Sequence, residues 1–283
     1  MMKIKLGFSP CPNDTFIFDA LVNKKIGTRG LEFETAIADV QQLNEWAIEG
    51  KLDVSKISTG VLPQISKQYV LLESGGALGK GVGPLLITKK EHIGRSPDQK
   101  DSTVALPGIN TTAHFLFNRA YPRCTNKKFM LFSSIEDAVL QGECDFGVII
   151  HENRFTYADK GLHLVKDLGH YWEESTGLPI PLGAIAARRT LPPETLRQID
   201  RLIKESVNHA VLHQRDHLSD FVKRHAQEMS ESVMRQHIDL YVNEYSVGIG
   251  EKGKQAIRWL YHEGIGEGTP KSTSIPDLHL FRD

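Results

Sequence analysis

The chain has 283 residues, 40% hydrophobic and 24% charged, with a formal net charge of -1. That balance fits a globular protein of one large or two ordinary domains, and it predicts no electrostatic pull toward nucleic acid or an anionic membrane. Three cysteines without C-x-x-C spacing (Cys11, Cys124 and Cys144) predict reduced thiols in a cytoplasmic setting and no structural zinc site, and no signal-peptide or membrane-spanning apolar run is present.

Strand and helix patterns alternate from the start. Residues 3–9 read as a strand and 13–23 as a helix, with Asn13 or Asp14 as N-cap and Phe16, Ile17, Ala20 and Leu21 on one face. A strand over 31–38 and a helix over 40–50 ending at Gly50 follow, then a strand over 53–58. Further strands are expected at 102–108, 128–134 and 146–151, with helices between them. The alternation predicts an α/β architecture with a largely parallel sheet. Beyond Leu191 the pattern becomes almost wholly helical, over 194–214, 217–226, 232–246 and 254–265. The tail from Gly266 is rich in Gly, Pro, Ser and Thr and reads as an extended segment.

One internal echo organises the chain. "WAIEGKLDVSKIS" (46–58) and "AVLQGECDFGVIIH" (138–151) share a helix, a glycine, two residues, an aspartate and a strand. Gly50 matches Gly142, and Asp53 matches Asp145. Two equivalent βαβ halves would place ligand at the carboxyl ends of their strands. Lys56, Ser58 and Thr59 would then face His151 across a cleft. The segments 81–90 and 178–189 are the expected crossovers, running side by side as a hinge. A discontinuous first domain (1–88 and 182–283) would hold an inserted domain at 89–181.

Four stretches carry candidate chemistry. His151 ends an apolar strand beside Glu152, Asn153 and Arg154, and an imidazole suits proton abstraction near neutral pH. In "LPGINTTAHFLF", Gly108 permits a turn, and Thr111 and Thr112 open a helix whose free N–H groups suit a carboxylate or phosphate; plain capping explains the same residues. Lys56 is costly to bury unless paired and would snorkel if its strand lay at an edge; paired or not, Lys56 and Ser58 suit an acidic ligand. In "SPCPNDTF" two prolines stiffen the turn before Asn13 and Asp14. Cys11 is a poor candidate nucleophile because no histidine lies near it in sequence.

Several familiar motifs fail on inspection. H-E-x-x-H needs histidine where Phe155 stands, and no metal is assigned. "SGGALGKGVGP" places Ser74 where a phosphate loop needs its first glycine, and Gly81 follows Lys80. Around "STG" (58–60), Lys56 occupies the glycine position of a nucleophile elbow.

Taken together and in order, "LGFSPCPNDTFIFDALV", "AIEGKLDVSKIS", "SGGALGKGVGPLL", "PGINTTAHFL", "GVIIHENRFTY" and "YWEESTGLPIPLGAIAARR" resemble the 1,4-dihydroxy-6-naphthoate synthase family of the futalosine route to menaquinone. The resemblance runs from Lys5 to about Ser246. It implies a two-domain fold like that of type II periplasmic binding proteins, with a ligand cleft between domains. It implies a carboxylated small-molecule substrate, cyclic dehypoxanthine futalosine, split into 1,4-dihydroxy-6-naphthoate and a dihydroxyacetone fragment. It implies His151 as proton acceptor, Lys56, Ile57, Ser58, Thr111 and Thr112 as substrate contacts, and Glu152 and Arg154 as supporting residues, with Asn13 and Asp14 at the rim. No cofactor, nucleic acid or membrane is implied, and the assembly would be a monomer or a homodimer. Chorismate dehydratase, a solute-binding protein and an effector-sensing domain are the rival readings; no DNA-binding segment supports the last.

Overall fold

The computed structural model describes residues 2–214, 217–226, 230–264 and 280–281. The chain builds most of one sheet, crosses to build a second, and returns to finish the first. It begins with β1 (Met2–Phe8), β2 (Leu31–Ile37), β3 (Val54–Ser58), β4 (Tyr69–Leu71) and β5 (Ala77–Gly79). The second sheet holds β6 (Leu85–Thr88), β7 (Val104–Leu106), β8 (Lys127–Phe129), β9 (Phe146–Ile149) and β10 (His163–Asp167). The return strand is β11 (Ile180–Arg188), which pairs with β3 and, at opposite ends, with β5 and β4.

The two sheets repeat one plan. The orders β2-β1-β3-β11 and β8-β7-β9-β6 correspond strand for strand. In each, the first three strands run parallel and the fourth antiparallel. The sheets are therefore mixed, where alternation alone predicts a largely parallel one. The echoed aspartates explain the repeat at atomic level. Asp53 Oδ2 accepts from Lys5 N–H at 2.9 Å, and Asp53 N–H donates to Lys5 C=O at 3.0 Å. Asp145 makes the same pair with Thr103, at 2.8 and 3.0 Å. Each carboxylate ties the start of a strand to its parallel neighbour. Gly50 and Gly142, at φ 67° and 78°, turn the preceding helix into that junction in a conformation that favours glycine.

Apolar spacing fixes how helices cover the sheets. Ile17, Phe18 and Leu21 of the helix Pro12–Val22 meet Leu196, Ile199, Leu202 and Ile203 of the helix Pro193–His213 over the first sheet. In the second core, Trp172 stacks edge-on against Trp259 at 4.8 Å. Tyr241, Trp259 and Leu260 also belong to that core, so the C-terminal helices pack against both sheets.

Several expectations shift. The strand of the 81–90 segment, β6, pairs within the second sheet, so the crossover contact falls earlier, where Gly79 pairs with Ile180. The helix expected at 13–23 starts at Pro12 with Cys11 as cap residue, because proline suits a first turn whose N–H lacks a partner. The strand expected over 128–134 stops at Phe129 and gives way to a 3-10 turn, Phe132–Ser134. The strand expected to end on His151 stops at Ile149. Its antiparallel partner runs out at Leu85, and Pro84, the next residue, has no N–H to extend the ladder. Most of the Gly-rich tail lies outside the described residues; Leu280 and Phe281 sit beside β4.

Candidate functional site

A cavity of about 700 Å³, partly open to solvent, lies where the carboxyl ends of β1 and β3 face the loops that leave β7 and β9. Asn13, Asp14, Lys56, Ile57, Ser58, Thr111, Thr112 and His151 all line it. Residues drawn from both sheets thus converge on one space.

His151 reaches the cavity by a strained route. Its φ is 58°, in the left-handed region that histidine tolerates better than most residues. The ring lies edge-on to Phe132 at 4.8 Å and stacks on His237 at 6.0 Å. Residue 151 is partly exposed to the cavity, yet its Nε2 is covered and has no hydrogen-bond partner among the described residues. Burial pushes its pKa down to about 4, against the opposing pull of the Asp14 and Asp39 carboxylates. The ring is therefore neutral near pH 7 and carries a lone pair.

Lys56 is buried in a central strand rather than snorkelling at an edge. Its Nζ donates to Gly75 C=O at 2.7 Å and lies 3.3 Å from Asp14 Oδ1. Asp14 accepts from Ser9 Oγ at 2.7 Å and from Asn13 Nδ2 at 2.9 Å. Asn13 Oδ1 in turn faces His237 Nε2 at 2.8 Å. Since Asn13 donates from its nitrogen to a carboxylate, its oxygen accepts, and His237 carries its proton on Nε2. A chain of polar contacts thus joins Lys56, Asp14, Asn13 and His237.

Ser58 is clamped by Asn44, which accepts from its N–H at 2.9 Å and donates to its Oγ at 3.0 Å. The Ser58 hydroxyl proton is left to donate elsewhere. Thr111 caps the helix Thr112–Ala120 by accepting from His114 N–H at 3.2 Å, and its hydroxyl donates to Gly108 C=O at 2.8 Å. The Thr112 hydroxyl donates to Leu182 C=O at 2.8 Å and accepts from Gly60 N–H at 3.1 Å. Both threonines are thus structural capping and bridging groups. What their turn offers a ligand is the backbone N–H of Thr112 and Ala113, which have no acceptor within the helix.

Glu152 and Arg154 do not line the cavity; they stand behind it. Glu152 Oε2 lies 3.7 Å from His237 Nδ1. Arg154 donates to Gly83 C=O at 2.6 Å and bonds the Tyr241 hydroxyl, whose pKa burial raises to about 12. Cys11 is buried near Glu152, and burial holds its thiol well above the usual range.

His237 and Tyr241 line the cavity and escape the reading of the sequence. They stand four apart on the helix Glu231–Tyr241, on its buried face with Met234 and Ile238. That spacing is the signal for them: a histidine at an apolar helical position. Burial, reinforced by His151 and Arg154, holds His237 well below the usual histidine range.

Comparison with known proteins agrees with this architecture. The family described as "Menaquinone biosynthesis" matches residues 4–264. A 1,4-dihydroxy-6-naphthoate synthase of Thermus thermophilus is 44% identical, over 98% of this chain and 99% of its own. One from Streptomyces coelicolor is 42% identical, over 98% of each. A crystal structure of a protein from Archaeoglobus fulgidus superposes with a TM-score of 0.84 at 31% identity, covering 94% of this chain and 98% of that one. The periplasmic aliphatic sulphonate binding protein of Escherichia coli superposes at 0.64 with 11% identity, covering 94% of this chain and 86% of its own. That second likeness shows the fold alone, the two-sheet fold of periplasmic binding proteins.

Proposed function

The chain belongs to the menaquinone-biosynthesis family, and from that premise we propose that it is a carbon–carbon lyase acting on cyclic dehypoxanthine futalosine. Its products would be 1,4-dihydroxy-6-naphthoate and a dihydroxyacetone fragment. The observation that carries the reading is His151. It presents a neutral imidazole to a cavity walled from both sheets, with a covered nitrogen that no described residue engages. In this reading the imidazole takes a proton from the cyclic substrate, the ring opens, the carbon–carbon bond breaks, and aromatisation of the second ring drives the sequence forward.

The surroundings support the roles of the other groups. The substrate carboxylate is held by the Thr111–Thr112 turn or by Lys56 and Ser58. The geometry favours the turn, since Lys56 is already paired with Asp14 and bonded to Gly75. A bound carboxylate also places negative charge near His151. That raises the ring's proton affinity when it is needed, because a base with a pKa near 4 is a weak acceptor at pH 7. His237 and Phe132 hold the ring in place.

Incubation with the cyclic futalosine derivative, followed by detection of the dihydroxynaphthoate, tests the reading. The chorismate dehydratase reading predicts instead turnover of a carboxylated chorismate-type ring and no naphthoate product. Tight binding of either compound without turnover would leave a solute-binding role.

A further inference from the structure

At the edge of the cavity His151 shares a cluster with two residues, Cys11 and Glu152, that have no role in the reaction proposed above. Cys11, His151 and Glu152 each offer one ligand atom, and the three atoms lie within 4.8 Å of one another. We propose that these residues bind a single Zn2+ ion, or a similarly thiophilic divalent cation.

The geometry is close to what zinc requires. A tetrahedral ion with sulfur at about 2.3 Å and nitrogen or oxygen at about 2.0–2.1 Å sets its ligand atoms roughly 3.3–3.6 Å apart. From within 4.8 Å, each contact must close by roughly 1 Å to reach that spacing. The backbone is already stiff: Cys11 stands between Pro10 and Pro12, and its C=O accepts from Asp14 and Thr15 N–H at 3.1 and 3.0 Å. His151 and Glu152 follow β9 directly in one tight turn. A covered nitrogen on His151 without a hydrogen-bond partner is an independent mark, since buried polar atoms are normally satisfied.

Charge and softness select the ion. A thiolate and a carboxylate together cancel its two positive charges, as a buried cation requires. A sulfur, nitrogen and oxygen set suits zinc and disfavours magnesium or calcium, which take oxygen ligands. Three protein ligands leave a fourth position open for water or for an atom of the substrate. Cysteine spacing cannot reveal such a site, because its ligands come from the first turn after β1 and the turn after β9.

One consequence rests on the function proposed above. Zinc would occupy the imidazole lone pair assigned to the substrate proton, so it would inhibit turnover. The site itself is tested without turnover. Full-length protein, stripped of metal with a chelator, is titrated with Zn2+ against a chromophoric competitor. One equivalent per chain is expected. Co2+ in its place should give a sulfur-to-cobalt charge-transfer band. Cys11→Ser and Glu152→Gln should each weaken binding about tenfold or more, whereas Cys124→Ser should leave it unchanged. No zinc binding, no thiolate band with cobalt, or undiminished affinity in Cys11→Ser would overturn the proposal. Zinc that binds as expected without slowing turnover would support the site and count against His151 as the base.

Discussion

At the scale of single residues, the site is defined by two buried electrostatic arrangements with different consequences. Lys56 and Asp14 form a buried ion pair at 3.3 Å, each further bonded by neutral groups. Such a pair is tolerable while intact, but removing one partner strands a charge and costs about 3–5 kcal/mol. Asp14→Ala should lower unfolding stability by that amount, as read from the denaturant midpoint. His151 is the opposite case, a neutral ring kept neutral by burial. If it is the base, kcat/KM of the free enzyme should fall as pH drops through about 4 rather than through the ordinary histidine value of 6.5. An acid limb centred near 6.5 would contradict the buried environment described for the ring. The sequence made His151 legible by its place after an apolar run. It did not reveal the left-handed backbone, two residues beyond the end of β9.

At the scale of elements, the crossing between the sheets depends on two glycines. A Cβ on Gly83 would come within 2.2 Å of Gly169 Cα, and one on Gly169 within 2.6 Å of Gly83 Cα. Both neighbours are backbone, so neither can rotate away. Gly83→Ala should destabilise by about 3 kcal/mol, at the upper end for overpacking, and should shift the start of β6, measurable by hydrogen exchange at Leu85 and Leu86. The helix Glu231–Tyr241 contributes the site residue His237, bonded to Asn13. The pattern of apolar and polar residues marked that helix as a helix. Periodicity places His237 on the buried face, but tertiary packing sets which wall that face covers, so its place in the site was out of reach of the local pattern. The Asp53 and Asp145 echo was legible because each aspartate does the same local work, tying two parallel strands together. The mixed pairing of β11 and β6 was not, since strand direction is decided by partners distant in sequence.

At the scale of the whole molecule, the cavity is walled from both sheets and bridged by contacts across it. Thr112 meets Gly60 and Leu182, and Asn44 Nδ2 donates to Asn110 C=O at 3.0 Å. Bridging of this kind narrows the access of water to whatever the cavity holds. It also buries His151 and His237, whose depressed proton affinities couple folding to pH. The sign follows from linkage: the unfolded chain binds protons on these rings first. The stability His151 contributes is intact above about pH 6.5 and is lost as pH falls toward 4, and that of His237 is likewise lost as pH falls below 6.5. His237→Leu should therefore flatten the decline of the melting temperature below pH 6.5 relative to the parent. Unchanged steepness would mean that other groups govern acid unfolding.

The most direct test of the central claim compares the parent chain with His151→Gln on cyclic dehypoxanthine futalosine, following 1,4-dihydroxy-6-naphthoate formation. If His151 is the base, the parent forms the product and the variant, folded to the same melting temperature within a few degrees, loses at least about a hundredfold in turnover. Near-normal product formation by His151→Gln would contradict that role.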